Sequence, residues 1–171
     1  MKKIFIILLI MSVGACQLFA RLGETSEQCQ KRYGNPVREI KNVDGYSHKY
    51  YFKGKFVVVA VFKDDKVAGI IYSKPDPSSL FFQQSMKKNE LIDVVDFQKF
   101  VNLKLTGLEI DCFLDANEAG GTWTSILEGS VWRRNDGAEA AYDEVNRTLA
   151  INSKEYLEYL GKQKESDLSG F

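Results

Sequence analysis

The sequence predicts an α+β fold in which a helix is followed by an antiparallel meander, after an N-terminal signal peptide. Three observations predict it. Residues 22–36 carry the start and stop signals of a helix, two Asp-Gly pairs separate strand-like runs, and a basic pair precedes an apolar stretch at the N-terminus. Helix followed by strands occurs in both parts of the chain, so an arrangement of two similar α+β halves is left open.

The composition is that of an ordinary globular protein. The chain has 171 residues, of which 44% are hydrophobic and 27% charged, and this length is enough to bury a core. Removing residues 1–20 takes away two lysines and no acidic residue, so the formal net charge falls from 0 to −2. Such a charge gives no electrostatic footprint for nucleic acid, and no basic run marks a membrane-binding face.

Residues 1–20 are predicted to be a secretory signal peptide. Lys2 and Lys3 precede the apolar run 4–11, and small residues follow it. The apolar run is shorter than the ~20 residues that span a bilayer, so we expect no transmembrane span in the mature chain. The expected location is outside the cytoplasm, either periplasmic or secreted.

The sequence offers two processing sites at the end of the signal peptide. Cleavage after Ala20 would leave Cys29 and Cys112, an even pair of cysteines, in an oxidising compartment. Residues 13–16 instead resemble a bacterial lipoprotein box, in which Cys16 would be lipidated and the protein anchored to a membrane. The predicted helix begins only nine residues after Cys16, which leaves little room for a tether. Cleavage after Ala20 is therefore preferred.

Residues 21–74 are predicted to form the helix and a four-stranded antiparallel meander. Thr25 is a favourable N-cap, Gln28 completes a capping box, and Gly34 and Pro36 end the helix. Alternating and β-branched runs predict the strands, with an Asp-Gly turn between the first two. In chain order the predicted strands are 37–43, 46–53, 56–62 and 67–72.

The remaining chain divides into a linker at 75–87, a second unit at 88–163 and a frayed tail at 164–171. Asn89 is a candidate cap for a helix with a broad apolar face, and residues 105–121 are predicted to be an irregular connection. The predicted strands are 123–127, 130–134, 138–143 and 148–152, with a hairpin turn at Asp136-Gly137 and a final helix capped by Ser153.

The first helix resembles that of a known bacterial group, the small outer-membrane-assembly lipoproteins (SmpA/OmlA), which share a fold with β-lactamase-inhibitor proteins. The residues that carry the resemblance are Leu22-Gly23-Glu24-Thr25, Gln28-Cys29 and Tyr33-Gly34-Asn35-Pro36. The resemblance implies a helix followed by a small antiparallel sheet, although Tyr33 stands where that family has an aliphatic residue. Residues 132–142 are also similar to a segment of exported proteins of unknown role, a likeness that implies no activity.

The sequence contains no pattern of a known catalytic or metal site. His48 is the only histidine, and no nucleophile elbow, phosphate-binding glycine loop or His-Glu-x-x-His motif occurs. Residues 115–120 resemble part of a calcium loop, but the fifth and twelfth positions are Ala119 and Ile126, which lack side-chain oxygens. We therefore expect no catalytic residue, no metal and no cofactor.

Cys29 and Cys112 are candidates for a disulfide that would tie the first helix to the second half of the chain. Closing so long a loop would stabilise the fold by roughly 3–5 kcal/mol. The alternative is two buried thiols, because Cys29 lies on the helix face that should pack inward. The bond is the preferred interpretation.

The candidate binding surface consists of Trp132, Arg133, Tyr50 and His48. An aromatic side chain beside guanidinium groups suits a protein hot spot or an anionic ligand. The preferred alternative is structural, with Trp132 in the core and Arg133 on the other side of its strand from Arg134. The same alternative, binding surface or core, applies to four tyrosines: Tyr46, Tyr50, Tyr51 and Tyr72.

These observations predict a non-enzymatic exported protein whose antiparallel sheet presents an aromatic surface to another envelope or secreted protein. The alternative is a small hydrolase or ligand-binding protein with a cleft near Trp132 and Arg133.

Overall fold

In the computed structural model of the protein, residues 21–78 and 102–169 are described. Four sequence-based predictions lie outside these residues and stay predictions. They are the signal peptide at 1–20, lipidation at Cys16, most of the linker at 75–87 and the helix that begins after Asn89.

The described residues contain three α-helices, eight strands and one short turn of 3-10 helix. The first part consists of α1 (Ser26–Tyr33), β1 (Arg38–Val43), β2 (Tyr46–Lys53), β3 (Phe56–Lys63) and β4 (Lys66–Ser73). The second part consists of α2 (Gly107–Ala116), the 3-10 turn (Glu118–Gly120), β5 (Trp123–Leu127), β6 (Val131–Arg134), β7 (Glu139–Asp143), β8 (Thr148–Asn152) and α3 (Lys154–Ser169).

All eight strands belong to one antiparallel sheet, in the order β1-β2-β3-β4-β8-β7-β6-β5. Each half of the sheet is a four-stranded meander. The two meanders join through their last strands, where Ile70 lies opposite Ile151. Strands β4 and β8 are therefore central, and β1 and β5 form the two edges of the sheet.

The predicted fold class, a helix-led meander with two similar α+β halves left open, is wrong. One continuous sheet organises the described residues, and the longest of their helices, α3, follows the last strand. Each meander alone would leave its last strand with unpaired backbone groups, and pairing β4 with β8 satisfies both edges at once. That pairing joins residues about eighty positions apart, so no local sequence pattern specifies it.

The first helix and the first hairpin have the boundaries that their local signals predict. Thr25 Oγ1 accepts from the Gln28 N–H at 3.2 Å, and Gln28 Oε1 accepts from the Thr25 N–H at 2.7 Å, which confirms the capping box. The helix ends at Gly34, whose φ of 85° favours glycine. Asp44 and Gly45 both have positive φ, as a two-residue hairpin turn requires.

Helix α2 lies where the sequence predicts an irregular connection, and that prediction is wrong. The Thr106 hydroxyl accepts from the Glu109 N–H at 3.2 Å, and the Glu109 carboxylate accepts from the Thr106 N–H at 2.8 Å. The same carboxylate binds Lys55 at 2.6 Å and Lys74 at 2.8 Å. These contacts tie the start of α2 to the β2–β3 turn and to the end of β4.

The main core lies on the sheet face that α1 and α2 cover. Phe113 of α2 stacks on Tyr72 of β4 with ring centroids 4.0 Å apart. Aromatic stacking of this kind adds to the stabilisation that comes from burying apolar area. The fully buried members of this core are Cys29, Tyr51, Val58, Ala60, Ile70, Tyr72, Leu105, Phe113, Ala140, Leu149 and Ile151.

Helix α3 packs on the opposite face of the sheet. Its start is capped as predicted, because the Tyr156 N–H donates to Ser153 Oγ at 3.3 Å. The rings of Tyr156 and Tyr159 lie 5.0 and 4.4 Å from that of Tyr46 on β2. The helix continues to Ser169, past the boundary at 163 that the sequence predicts.

Candidate functional site

The structure does not bring the four predicted surface residues together. Trp132 packs against the main core, whereas Arg133, the next residue of β6, points to the opposite face. His48 and Tyr50 lie on β2, four strands away from β7 and five from β6. At a strand spacing of about 4.8 Å, roughly 24 Å separates them from Arg133.

The Arg133 side chain is already engaged. Its guanidinium donates to the Glu139 carboxylate on β7 through Nε at 2.8 Å and Nη2 at 2.5 Å. With Trp132 on the other face, the two residues cannot line one cleft. Within the described ranges, Trp132 and Arg133 therefore do not line a common cleft.

His48 is half-buried in the sheet, and this burial lowers the pKa of its imidazole. Within residues 21–78 and 102–169, no hydrogen bond or ion pair to a carboxylate, hydroxyl or thiol accompanies it. Such a partner is what orients the imidazole in catalytic dyads and triads.

The tyrosines are core residues. Tyr46, Tyr50, Tyr51 and Tyr72 are each at most 4% exposed. Tyr50 also lies beneath the guanidinium of Arg38, whose carbon is 6.0 Å from the ring centroid. The predicted aromatic binding surface on the sheet is therefore absent from these positions, and the structural alternative is the correct one.

Arg134 forms a buried polar cluster that joins β6 to the end of α2. Its guanidinium donates to both carboxylate oxygens of Asp136, at 2.8 and 2.6 Å, and to the main-chain carbonyl of Asn117. The guanidinium carbon lies 5.3 Å from the Trp123 ring centroid, a cation–π geometry. The hydrogen bonds from Arg134 hold the pKa of Asp136 below its usual range. With its donors used in this way, Arg134 stabilises the fold and does not offer an anion site.

The two cysteines of the described chain are not joined by a disulfide, so the predicted bond is not formed. Cys29 is buried, and its Sγ lies 3.9 Å from the Glu24 carboxylate. Burial, with the nearby charge of Glu24, raises the pKa of the Cys29 thiol to about 12. A thiol with so high a pKa is not a nucleophile at neutral pH.

No set of three or more histidine, cysteine or acidic side chains within the described ranges could hold a metal ion. None of the helices in those ranges is long and apolar enough to cross a bilayer.

The most distinctive surface is the outer edge of β5. The opposite edge of the sheet, β1, carries Arg38, Glu39 and Lys41, whereas the five residues of β5 include no charged side chain. Thr124 and Ser125 are exposed, and Ile126 and Leu127 expose 52% and 61% of their surface. Native sheets usually protect an edge with charge, proline or a covering element. Among residues 21–78 and 102–169, none of these protects the regular part of β5.

Antiparallel geometry fixes which backbone groups of β5 face outward. The Arg134 N–H donates to the Ala138 carbonyl, so the main chain of Arg134 faces β7. Successive residues of a strand alternate in direction, so Arg133 and its register partner Thr124 bond to each other. The N–H and C=O groups of Trp123 and Ser125 therefore point away from the sheet. Beyond Ser125, a bulge interrupts the register.

Strand β5 is anchored to the main core and to α2. Trp123 packs against the main core, and its indole Nε1 donates to the Leu114 carbonyl of α2 at 2.9 Å. Because that anchor fixes the strand, the outward backbone groups are presented in a preorganised geometry, which lowers the entropic cost of binding. Sequence reasoning identified β5 as a strand but could not identify it as an edge.

Comparison with known proteins gives distant likenesses only. No family model matches the chain, and a search of curated proteins finds no match. Two solved structures are similar: a cysteine-rich secretory protein from Staphylococcus aureus, at 12% identity and a TM-score of 0.38, and an extracellular protein containing an SCP domain from Bacillus anthracis, at 15% and 0.37. Each match covers 80% of this chain, but only 46% and 45% of those chains. A likeness this distant carries no information about function.

Proposed function

We propose that this protein is a non-enzymatic exported binding module, and that another protein chain joins it at the outer edge of β5. The observation that carries the proposal is the contrast between the two edges of the sheet. Strand β1 is charged, whereas β5 is uncharged, exposed and anchored through Trp123. Strand addition uses the backbone groups of such an edge for affinity and its side chains for specificity.

The exposed apolar side chains support a protein partner. Ile126 and Leu127 adjoin the outward backbone groups of Ser125, so a chain that bonds this edge lies next to two exposed apolar side chains. Burying apolar surface contributes about 25 cal/mol per Å², and it supplements main-chain hydrogen bonds that are individually modest.

The proposal that the protein is not an enzyme rests on four residues whose side chains catalysis could use. His48 is half-buried and has a lowered pKa, and the Cys29 thiol is buried with a raised pKa. Arg133 and Arg134 are both paired with carboxylates. Of these four candidate groups, His48 and Cys29 are withdrawn by burial, and Arg133 and Arg134 are paired with carboxylates.

A photo-crosslinking experiment tests the binding edge. A photoreactive residue at Ile126 should give a specific crosslinked product in the envelope or secreted fraction of the source organism. The same residue at Val145, which is 88% exposed in the β7–β8 turn, is the matched control and should not. Adding Ser125→Pro, which removes an outward N–H, should suppress the Ile126 product. A product that persists in this variant, or equal products at both positions, would contradict the proposal.

Export is proposed from the pattern of residues 1–20, and mass spectrometry of the mature N-terminus tests it. A chain that begins at Arg21 supports soluble export, and acylation at Cys16 supports a lipid anchor. An intact segment 1–20 on protein inside the cell would refute export.

A further inference from the structure

We propose that the chain that joins the β5 edge is a second copy of this protein, related by a twofold axis at Thr124. The two eight-stranded sheets would then form one sixteen-stranded sheet. This inference rests on the proposed function and names its partner.

The backbone of β5 is self-complementary in this register. A twofold axis at Thr124 places Trp123 opposite the partner's Ser125, and Ser125 opposite the partner's Trp123. These are the two residues whose N–H and C=O groups face outward, so each pair exchanges two hydrogen bonds, giving four in total. The register uses the regular part of the strand and stops short of the bulge that follows Ser125. An axis at Ser125 would instead place Ile126, the extra residue of the bulge, inside the new ladder.

The side chains of the edge also tolerate a second copy. Thr124 would face the partner's Thr124 across the axis, on the sheet face that Arg133 shares, and threonine pairs of this kind are favourable. No residue of β5 carries a charge, so two identical strands meet without like-charge repulsion. Thr124, Ser125, Ile126 and Leu127 are all exposed, so the part of the chain that the structure describes leaves this edge open.

The size of the edge sets the strength of the dimer. A strand of five residues is about 17 Å long, so the pair buries much less than the roughly 1,600 Å² of a standard interface. The dimer is therefore weak, and the fraction of dimer rises with protein concentration.

Disulfide trapping tests the register. Residues opposite each other in a non-hydrogen-bonded pair have Cα atoms about 4.5 Å apart, within the range that a disulfide spans. Thr124→Cys should therefore crosslink to itself under mild oxidation. The matched control is Ile126→Cys, which in this register faces the partner's Thr122 and should form at least about tenfold less dimer. The wild-type protein controls for Cys29 and Cys112. A Thr124→Cys protein that stays monomeric, or that gives no more dimer than Ile126→Cys, would overturn the inference.

Sedimentation equilibrium tests the association without an added cysteine. Ser125→Pro removes two of the four N–H donors from the dimer and should weaken self-association by about tenfold or more. The donor points away from β6, so an edge position can accept the proline. Ser125→Thr keeps the N–H and should associate like the wild type. Equal association of the proline variant would contradict the inference.

Different experimental results would contradict the two proposals. If Ile126 crosslinks to a different protein while Thr124→Cys gives no dimer, self-association is wrong and the binding edge stands. If neither position gives a specific product, both proposals are wrong.

Discussion

Replacing Glu109 with glutamine should remove much of the pH dependence of stability in acid. The Glu109 carboxylate binds Lys55 at 2.6 Å and Lys74 at 2.8 Å, and it accepts the N–H of Thr106 at 2.8 Å. Its side chain is 14% exposed and that of Lys74 is 12% exposed. Glutamine keeps the length and the capping geometry of the N3 position, so the substitution removes mainly the charge.

The magnitude follows from the pKa of this carboxyl. Burial acts to raise the pKa of Glu109, but the hydrogen bonds from Lys55, Lys74 and Thr106 outweigh it and lower the pKa from 4.5 to about 2. Because the folded state holds the proton less tightly, the stabilisation is complete above the unfolded pKa and is lost as pH falls through about 2. The whole shift corresponds to about 3 kcal/mol, and screening at the exposed Lys55 reduces our expectation to about 2 kcal/mol.

Urea unfolding of the two proteins between pH 7 and pH 2 measures this effect. The wild type should be more stable than Glu109→Gln by about 2 kcal/mol at pH 7, and the difference should shrink towards zero near pH 2. Glu27→Gln, in a solvent-exposed pair with Lys31, is the control and should leave the wild-type profile in place. A difference that stays constant with pH, or no difference at pH 7, would refute the reasoning.

Two further substitutions test the packing. Gly69→Ala should destabilise by about 1–3 kcal/mol in thermal or urea unfolding, because its methyl group would lie 2.8 Å from the Tyr156 ring. Gly107→Ala, with open space around the new carbon, is the matched control and should be neutral or slightly stabilising; equal losses would contradict this account of α3 packing. Asp136→Ala should cost about 1–3 kcal/mol, because it leaves the buried guanidinium of Arg134 without its carboxylate. Unchanged unfolding of that variant would show that the ion pair contributes nothing.

Local signals in the sequence predict individual elements well. Thr25 and Gln28 define the start of α1, Asp44 and Gly45 define the first hairpin, and β8 runs over the predicted residues 148–152. Each of these depends on interactions within a few residues. For the same reason α2 is predictable in principle, since its capping box has the same form as that of α1.

The arrangement of the elements depends on distant contacts that no local pattern contains. A period of two shows that β2 has two faces, but it does not show that Tyr46, Tyr50 and Tyr51 are all covered. The pairing of β4 with β8 decides which strands are edges, and it joins the two described segments of the chain. The sequence thus identifies Trp132 as a candidate binding residue because of its residue type. The role of β5 as an exposed edge follows only from its place in the strand order.

Amide hydrogen exchange at Ser125 tests the role of the β5 edge most directly. The Ser125 N–H points outward, whereas that of its neighbour Thr124 is bonded to β6 and serves as an internal reference. We predict that exchange at Ser125 slows as the protein concentration rises, while exchange at Thr124 does not change. Rapid exchange at Ser125 at every concentration, or slowing at β1 instead, would contradict the account.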